Sequence, residues 1–272
     1  MKLGLKPVLR QPDVMLRNYH TPQLPTVNDL TFPLGHPHLI QPRMFMNDEL
    51  GDCAIAGSIE EVRLLNASRG VTVPFTDETA VENYSQITGY DPSDPGTDQG
   101  TDVHELFDYR QQVGMLDADG NRHKVVGYAG LTPGDWNELL VALSLFEVVG
   151  IGVEITDYAQ PQFAKGQPWH VIRGRHQIIG GHYIPIVGAP SKTEAQLFTW
   201  GQLAGITPGY YHAYNTVAVV ALTAEMFNGQ GKTIDGINWD QLAADLPGLN
   251  TGPVMTKAPR APKAKADKDT GQ

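Results

Sequence analysis

Three observations predict an α+β fold. Amphipathic helical periods crowd the first half of the chain, short β-rich runs fill the second, and 272 residues with 41% hydrophobic content suffice for one large domain or two small ones sharing a cleft. The order, helices first and strands second, sets the class.

Residues 1 to 40 are punctuated by proline, as in "TPQLPTVNDLTFPLGHPHLIQP", which predicts an extended strap laid over a surface. From Ala54 the texture changes. Ile55, Ile59, Val62 and Leu65 recur at helical spacing, Glu60 and Glu61 are expected to face the other way, and "NASRG" stops the helix near Gly70. "TDETAVENYSQITG" predicts a second helix with Thr76 and Thr79 as candidate caps, and "DVHELFDYRQQVG" a third. "TPGDWNELLVALSLFEVVG" predicts a fourth with Pro133 near its first turn.

After Gly150 the runs "IGVEI", "HYIPIVGA", "AQLFTWG" and "NTVAVVALT" are rich in Val, Ile, Thr and aromatics, and Gly, Pro and polar turns separate them. No internal repeat is visible. The expected organisation is a strap over 1–40, a helical half over about 41–149 and a β half over about 150–225. A C-terminal helical extension over 226–250, containing "INWDQLAADLPGL", and a disordered basic tail over 251–272 complete it.

Charge and cysteine usage narrow the function classes. The net charge is −10, and from Lys257 onward five basic residues face two acidic ones, so the residues before the tail carry about −13. Such a surface opposes phosphate backbones and anionic membranes, so neither nucleic acid nor membrane is an expected partner of the folded part. No run reaches the roughly eighteen apolar residues of a membrane span, and "MKLGLKPVLRQPD" lacks the features of a signal peptide. A cytoplasmic or virion-associated location, or release by lysis, is the expectation. The single cysteine cannot form an internal disulfide or a cysteine-based zinc site, and no cofactor or metal is expected.

That cysteine carries the chemistry. In "NDELGDCAIAGSIEEVRLL" Cys53 stands where a polar, glycine-marked turn gives way to a helix, and a helix N-terminus stabilises a thiolate. Downstream, "GGHYIPIVGA" presents His182 on a strand, 129 residues after Cys53. These two segments resemble the papain-like cysteine peptidases, in which a cysteine opens the central helix and a histidine follows on a strand about 130 to 150 residues later. "TDQGTDVHELFDYRQQVGML", "VVGIGVEIT" with "YAQPQFAKGQ", and "LFTWGQLAG" resemble the family's intervening loop, its strand before the histidine and its N-S-W-G segment, with Trp200 and Gly201 matching. The resemblance covers about 40 to 225 and rests on order and spacing.

It implies a helical half carrying Cys53 packed on an antiparallel β-barrel-like half carrying His182. It also implies thiolate attack on a peptide or other amide carbonyl in the cleft between them. The family's oxyanion glutamine falls at Asn47, one methylene shorter and still an amide donor. The aromatic after the cysteine is Ala54, and the asparagine that orients the histidine falls at Phe198, which accepts no hydrogen bond. Thr199 is the leading substitute orienter, with Gln196 and Asn215 behind it; because a strand alternates faces, Phe198 and Thr199 cannot both point at His182.

The expected function is therefore a cysteine peptidase or peptidase-like hydrolase acting on a peptide or protein, with oligomeric state undetermined. Two alternatives stand beside it: a papain-like structural or binding protein with a decayed site, such as a phage virion component, and a Cys-dependent amidase or acyltransferase. Lesser motifs carry less. "DADGNR" reads as a turn, since Arg122 and Tyr128 stand where a calcium loop needs Gly and Glu. Asp91, Asp94, Asp98 and Asp102 form an acidic loop that could repel anionic substrates if it rims the cleft. His36 and His38, and likewise His170 and His176, read as surface or loop residues, and "GQGKT" lacks the first glycine of a phosphate loop.

Overall fold

The computed structural model describes residues 1–223 and 236–246. The helix that opens on the cysteine, α1 (Cys53–Ala67), is buried almost all round, so it is a central helix and not an amphipathic surface one. Glu60 and Glu61, expected to face solvent, are buried with it. Their charges are met inside. Glu60 accepts from the Arg43 backbone N–H and from the Arg63 guanidinium, both at 2.6 Å.

Helix α2 (Asp77–Thr88) starts as expected, with a reciprocal cap between Thr76 and Thr79. Helix α3 (Val103–Gln112) is capped by Asp102, whose side chain accepts from the His104 and Glu105 N–H groups. In α4 (Trp136–Phe146) the starting signal is Asp135 as N-cap; Pro133 lies in the turn before it, outside the first helical turn. A 6-residue α5 (Ala159–Ala164), a 7-residue α6 (Pro208–Tyr214) and a 7-residue α7 (Trp239–Asp245) complete the helices of the described residues.

The strands are β1 (Leu34–Gly35), β2 (Met115–Leu116), β3 (Arg122–His123), β4 (Gly127–Gly130), β5 (Val149–Thr156), β6 (Ile178–Ser191), β7 (Glu194–Thr199), β8 (Gln202–Ile206) and β9 (Asn215–Leu222). Seven of them form one antiparallel sheet in the order β4-β9-β5-β6-β7-β8, with β1 paired to β6; β2 and β3 form a separate ribbon. The sheet is open and does not close into a barrel.

Sequence order and spatial layer do not coincide. β4 lies in the stretch expected to be helical yet pairs with β9 at the sheet edge. α4 joins the hydrophobic cluster of Ile151, Ile184, Ile186 and Trp169, while α1, α2 and α3 share another with Tyr183, Val217 and Val219. Alternate residues of β6 and β9 therefore feed opposite clusters, and the sheet is covered on both faces.

A fully buried ionic group ties α1, α3 and β6 together behind the cysteine. Arg110 donates to Glu61 at 2.5 Å and to Ser58 at 3.0 Å, and the Tyr183 hydroxyl donates to the other Glu61 oxygen at 2.9 Å. Removing one partner strands the other charge in a dry interior. Glu61→Ala is expected to cost about 3–5 kcal/mol in urea unfolding, and a loss under about 1 kcal/mol would show that water reaches this network.

The proline-rich N-terminal residues are mostly extended, broken by 3₁₀ turns at Leu16–Tyr19 and Pro37–Leu39 and by β1, and are called the strap below. The basic tail, residues 224–235 with "GQGKT", and the end of the C-terminal extension lie outside the described residues.

Candidate active site

Cys53 is the first residue of α1, and Asp52 before it adopts a non-helical φ of −98°. The loop leading there is bent tightly, with left-handed φ at Phe45 (50°) and Met46 (68°), and it delivers Asn47 beside the helix start. His182 stands on β6, opposite Val153 of β5. Cys53 and His182 are each 1% exposed. Cys53, His182, Asn47, Thr199 and Trp200 line one cavity, in which the free space is about 10 Å³, room for about one water molecule.

Within it, His182 Nε2 and the Thr199 hydroxyl are 2.7 Å apart, and Nδ1 has no hydrogen-bond partner among the described residues. The Trp200 indole stacks on the imidazole at 4.6 Å and 20°. That stacking needs unusual backbone. Thr199 pairs with Gln202, and the two residues between, Trp200 and Gly201, have φ of 46° and 70°, the pattern of a two-residue type I′ hairpin. Phe198 also borders this cavity, but it packs in a cluster with Leu64, Leu65 and Val187 and makes no hydrogen bond to His182. Gln196 and Asn215 serve the sheet instead: Gln196 pairs with Gly188, and Asn215 donates to the Gly152 and Val217 carbonyls.

Asn47 is engaged as well. Its amide donates to the Leu50 carbonyl and to Asp52 Oδ1, both at 3.2 Å. Tyr183 offers its backbone N–H to Cys53 Sγ at 3.5 Å.

Residues 2–6 of the strap fill the cleft over these groups, a feature the sequence reading missed. Lys2 N–H donates to the Asn47 carbonyl (3.0 Å), and Trp200 Nε1 donates to the Lys2 carbonyl (3.3 Å). Thr101 N–H donates to Gly4 O (2.7 Å), Leu5 N–H to Gly181 O (3.1 Å) and Lys6 N–H to Thr101 O (3.0 Å). Leu5 thus forms a parallel bridge with Thr101 and an antiparallel one with Gly181, an extra strand between the cleft walls. The Leu5 side chain joins the cluster that contains Cys53, a burial worth about 2 kcal/mol.

Glycines make the slot. A Cβ on Gly4 would meet the Gly51 carbonyl oxygen at 1.8 Å, one on Gly100 the Gly4 carbonyl oxygen at 2.3 Å, and one on Gly181 the Leu5 carbonyl oxygen at 2.5 Å. The available signal was the grouping of glycine around the site, in "DELGDC", "DQGTD" and "IIGGHY".

Under this cover both titratable groups are neutral. Burial pushes the Cys53 thiol up to about 12, although the backbone amides of Tyr183 and Gly4 pull the other way. Burial pushes His182 down to about 3. Above pH 6.5 His182 is neutral folded or unfolded, whereas between 6.5 and 3 only the unfolded chain takes up the proton, so stability is lost as the pH drops through that window. His182→Gln should flatten the loss of unfolding free energy between pH 6 and pH 4.5. An unchanged slope would assign the loss to other groups.

No protein-family model matches the sequence, and no curated protein matches it either. Solved structures do. Xylellain, a cysteine protease from Xylella fastidiosa, superposes with a TM-score of 0.57 at 12% identity, covering 82% of this chain and 99% of that one. The digestive procathepsin L 3 of Tenebrio molitor gives 0.53 at 15% identity over 77% and 75% of the two chains. The Carica candamarcensis cysteine protease CMS1MS2, in complex with E-64, gives 0.51 at 14% over 71% and 99%. The fold is papain-like, and these neighbours are cysteine proteases.

Proposed function

We propose that this chain is a cysteine peptidase whose cleft is closed by its own N-terminal strap. The observation that carries this reading is the strap itself: an extended polypeptide lies over Cys53 and His182, hydrogen-bonded through its backbone to both walls, so the cleft takes an extended peptide. The fold supports it, since its structural neighbours are cysteine proteases.

With the strap displaced, water re-enters and the burial that holds the thiol neutral is relieved; the positive end of α1 and the nearby imidazole then favour the thiolate. His182 Nδ1, the nitrogen without a hydrogen-bond partner among the described residues, takes the thiol proton, while Thr199 at Nε2 fixes the ring orientation as a positioning residue. Cys53 Sγ attacks the amide carbonyl. The oxyanion is held by the Cys53 backbone N–H at the first turn of α1, where helix amides have no intrahelical partner. Asn47 adds its amide by exchanging its bond to Leu50 or Asp52 for one to substrate. The imidazolium protonates the leaving amine, and water hydrolyses the thioester.

The test is cleavage of a mixed peptide library by the full chain carrying Gly4→Val, which unseats the strap, with Cys53→Ala added as control. Cysteine-dependent cleavage is the expected result. Tight peptide binding without cleavage would favour a papain-like binding protein with a decayed site, and turnover of small amides alone would favour an amidase.

A further inference from the structure

We propose that Asp98 is the specificity-determining residue of this cleft and selects substrates carrying a cationic side chain, lysine or arginine, beside the bond attacked by Cys53. The inference rests on the peptidase reading and adds the substrate class to it.

Asp98 belongs to the acidic loop expected from sequence to repel anions at a cleft rim, but it is no solvated loop residue. Its side chain is 5% exposed and fixed from two sides: the Gly51 N–H donates at 3.1 Å and 3.2 Å to its two oxygens, and the Tyr84 hydroxyl donates at 2.6 Å. Gly51 lies two residues before Cys53, so the carboxylate is tied to the segment that carries the nucleophile. Burial works against its ionisation, but the hydrogen bonds from Lys2, Tyr84 and Gly51 outweigh it and hold the carboxyl below its usual range. Asp98 is thus an anion that neutral donors orient without neutralising. Its ion-pair partner is the Lys2 ammonium at 2.6 Å, and Lys2 belongs to the strap.

When the strap leaves, this cation leaves with it. The carboxylate then faces the open cleft beside the Gly51 and Gly100 walls, and a substrate lysine or arginine restores the lost charge-assisted bond. An anionic side chain there would meet the Asp98 carboxylate with its cation gone. If the Lys2 pair were only a latch for the strap, the released cleft would show no charge preference.

Binding separates these cases without needing turnover. The full chain with Gly4→Val and Cys53→Ala is titrated calorimetrically with Ac-Ala-Leu-Lys-Gly-NH2 and with the same peptide carrying norleucine or glutamate in place of lysine. The lysine peptide should bind about tenfold more tightly than the norleucine peptide, and the glutamate peptide most weakly. Adding Asp98→Asn, whose oxygen can still accept from Gly51 and Tyr84, should bring the lysine-to-norleucine ratio to about one. Equal binding with Asp98 intact, a ratio that survives Asp98→Asn, or no binding by any peptide would overturn the proposal. Binding preference without hydrolysis when Cys53 is restored would sink the peptidase reading and leave Asp98 standing; hydrolysis without preference would do the reverse.

Discussion

Gly4→Val in the full chain is expected to raise the rate of Cys53 alkylation by iodoacetamide at pH 7 by a factor of about a hundred or more. Two effects add. The strap closes the cleft sterically, leaving about 10 Å³ beside the thiol, and its burial of the thiol moves the pKa up to about 12, where almost no thiolate exists at pH 7. A Cβ on residue 4 would lie 1.8 Å from the Gly51 carbonyl oxygen, a backbone atom that cannot swing aside as a side chain can. The strap must therefore leave its seat. The pH midpoint of alkylation should fall toward or below 8.5 in the variant. Equal rates in the two chains would mean that residues 2–6 exchange freely out of the cleft and do not govern access.

The second large effect is expected at Thr199. In the strap-released chain Thr199→Val should lower kcat for peptide hydrolysis by about a hundredfold, while Thr199→Ser retains most of the rate. Valine matches threonine in shape but offers His182 Nε2 nothing, so the ring loses the contact at 2.7 Å that selects its orientation; stacking on Trp200 and the edge contact with Trp169 remain. A structural role alone would lower stability and leave the pH profile of kcat/KM unchanged. Loss of orientation moves that profile, and serine restores it. If valine and serine behaved alike, the Trp200 stack would be sufficient to hold the ring.

The cover over the site also changes how cysteine reactivity reads. In the full chain an unreactive thiol at pH 7 is the expected result even for an active enzyme, because the depressed imidazole and the raised thiol both follow from burial. The reactive pair belongs to the open cleft.

Several elements were legible in the order of residues because local chemistry dictates them. The Thr76 and Thr79 cap, the helix expected from Ala54 just after Cys53 and the β-rich runs after Gly150 are set by neighbours in sequence, and all three are present. Alternation along a strand fixed that Phe198 and Thr199 point apart, which left the threonine as the one able to meet His182. Glu60 and Glu61 were misread for the same local reason. Charge in a helix signals solvent when only the helix is considered, and here partners from Arg43, Arg63 and Arg110 make burial affordable.

What the sequence by itself determined, then, is the four long helices, the strands β5, β6, β7 and β9, and the two side chains, Cys53 and His182, that stand at a helix start and on a strand. What only the tertiary structure decided is their setting: a sheet covered on both faces, a threonine against Nε2, Asp98 turned into the cleft, and residues 2–6 lying across the thiol. These depend on contacts between segments from 17 residues apart, His182 with Thr199, to nearly two hundred, as for Trp200 with Lys2 and Gly181 with Leu5. Helix and strand periods report which face of an element is buried, but they do not encode what buries it. A glycine slot is legible as glycines; the chain that fills it is known only once the fold brings both together.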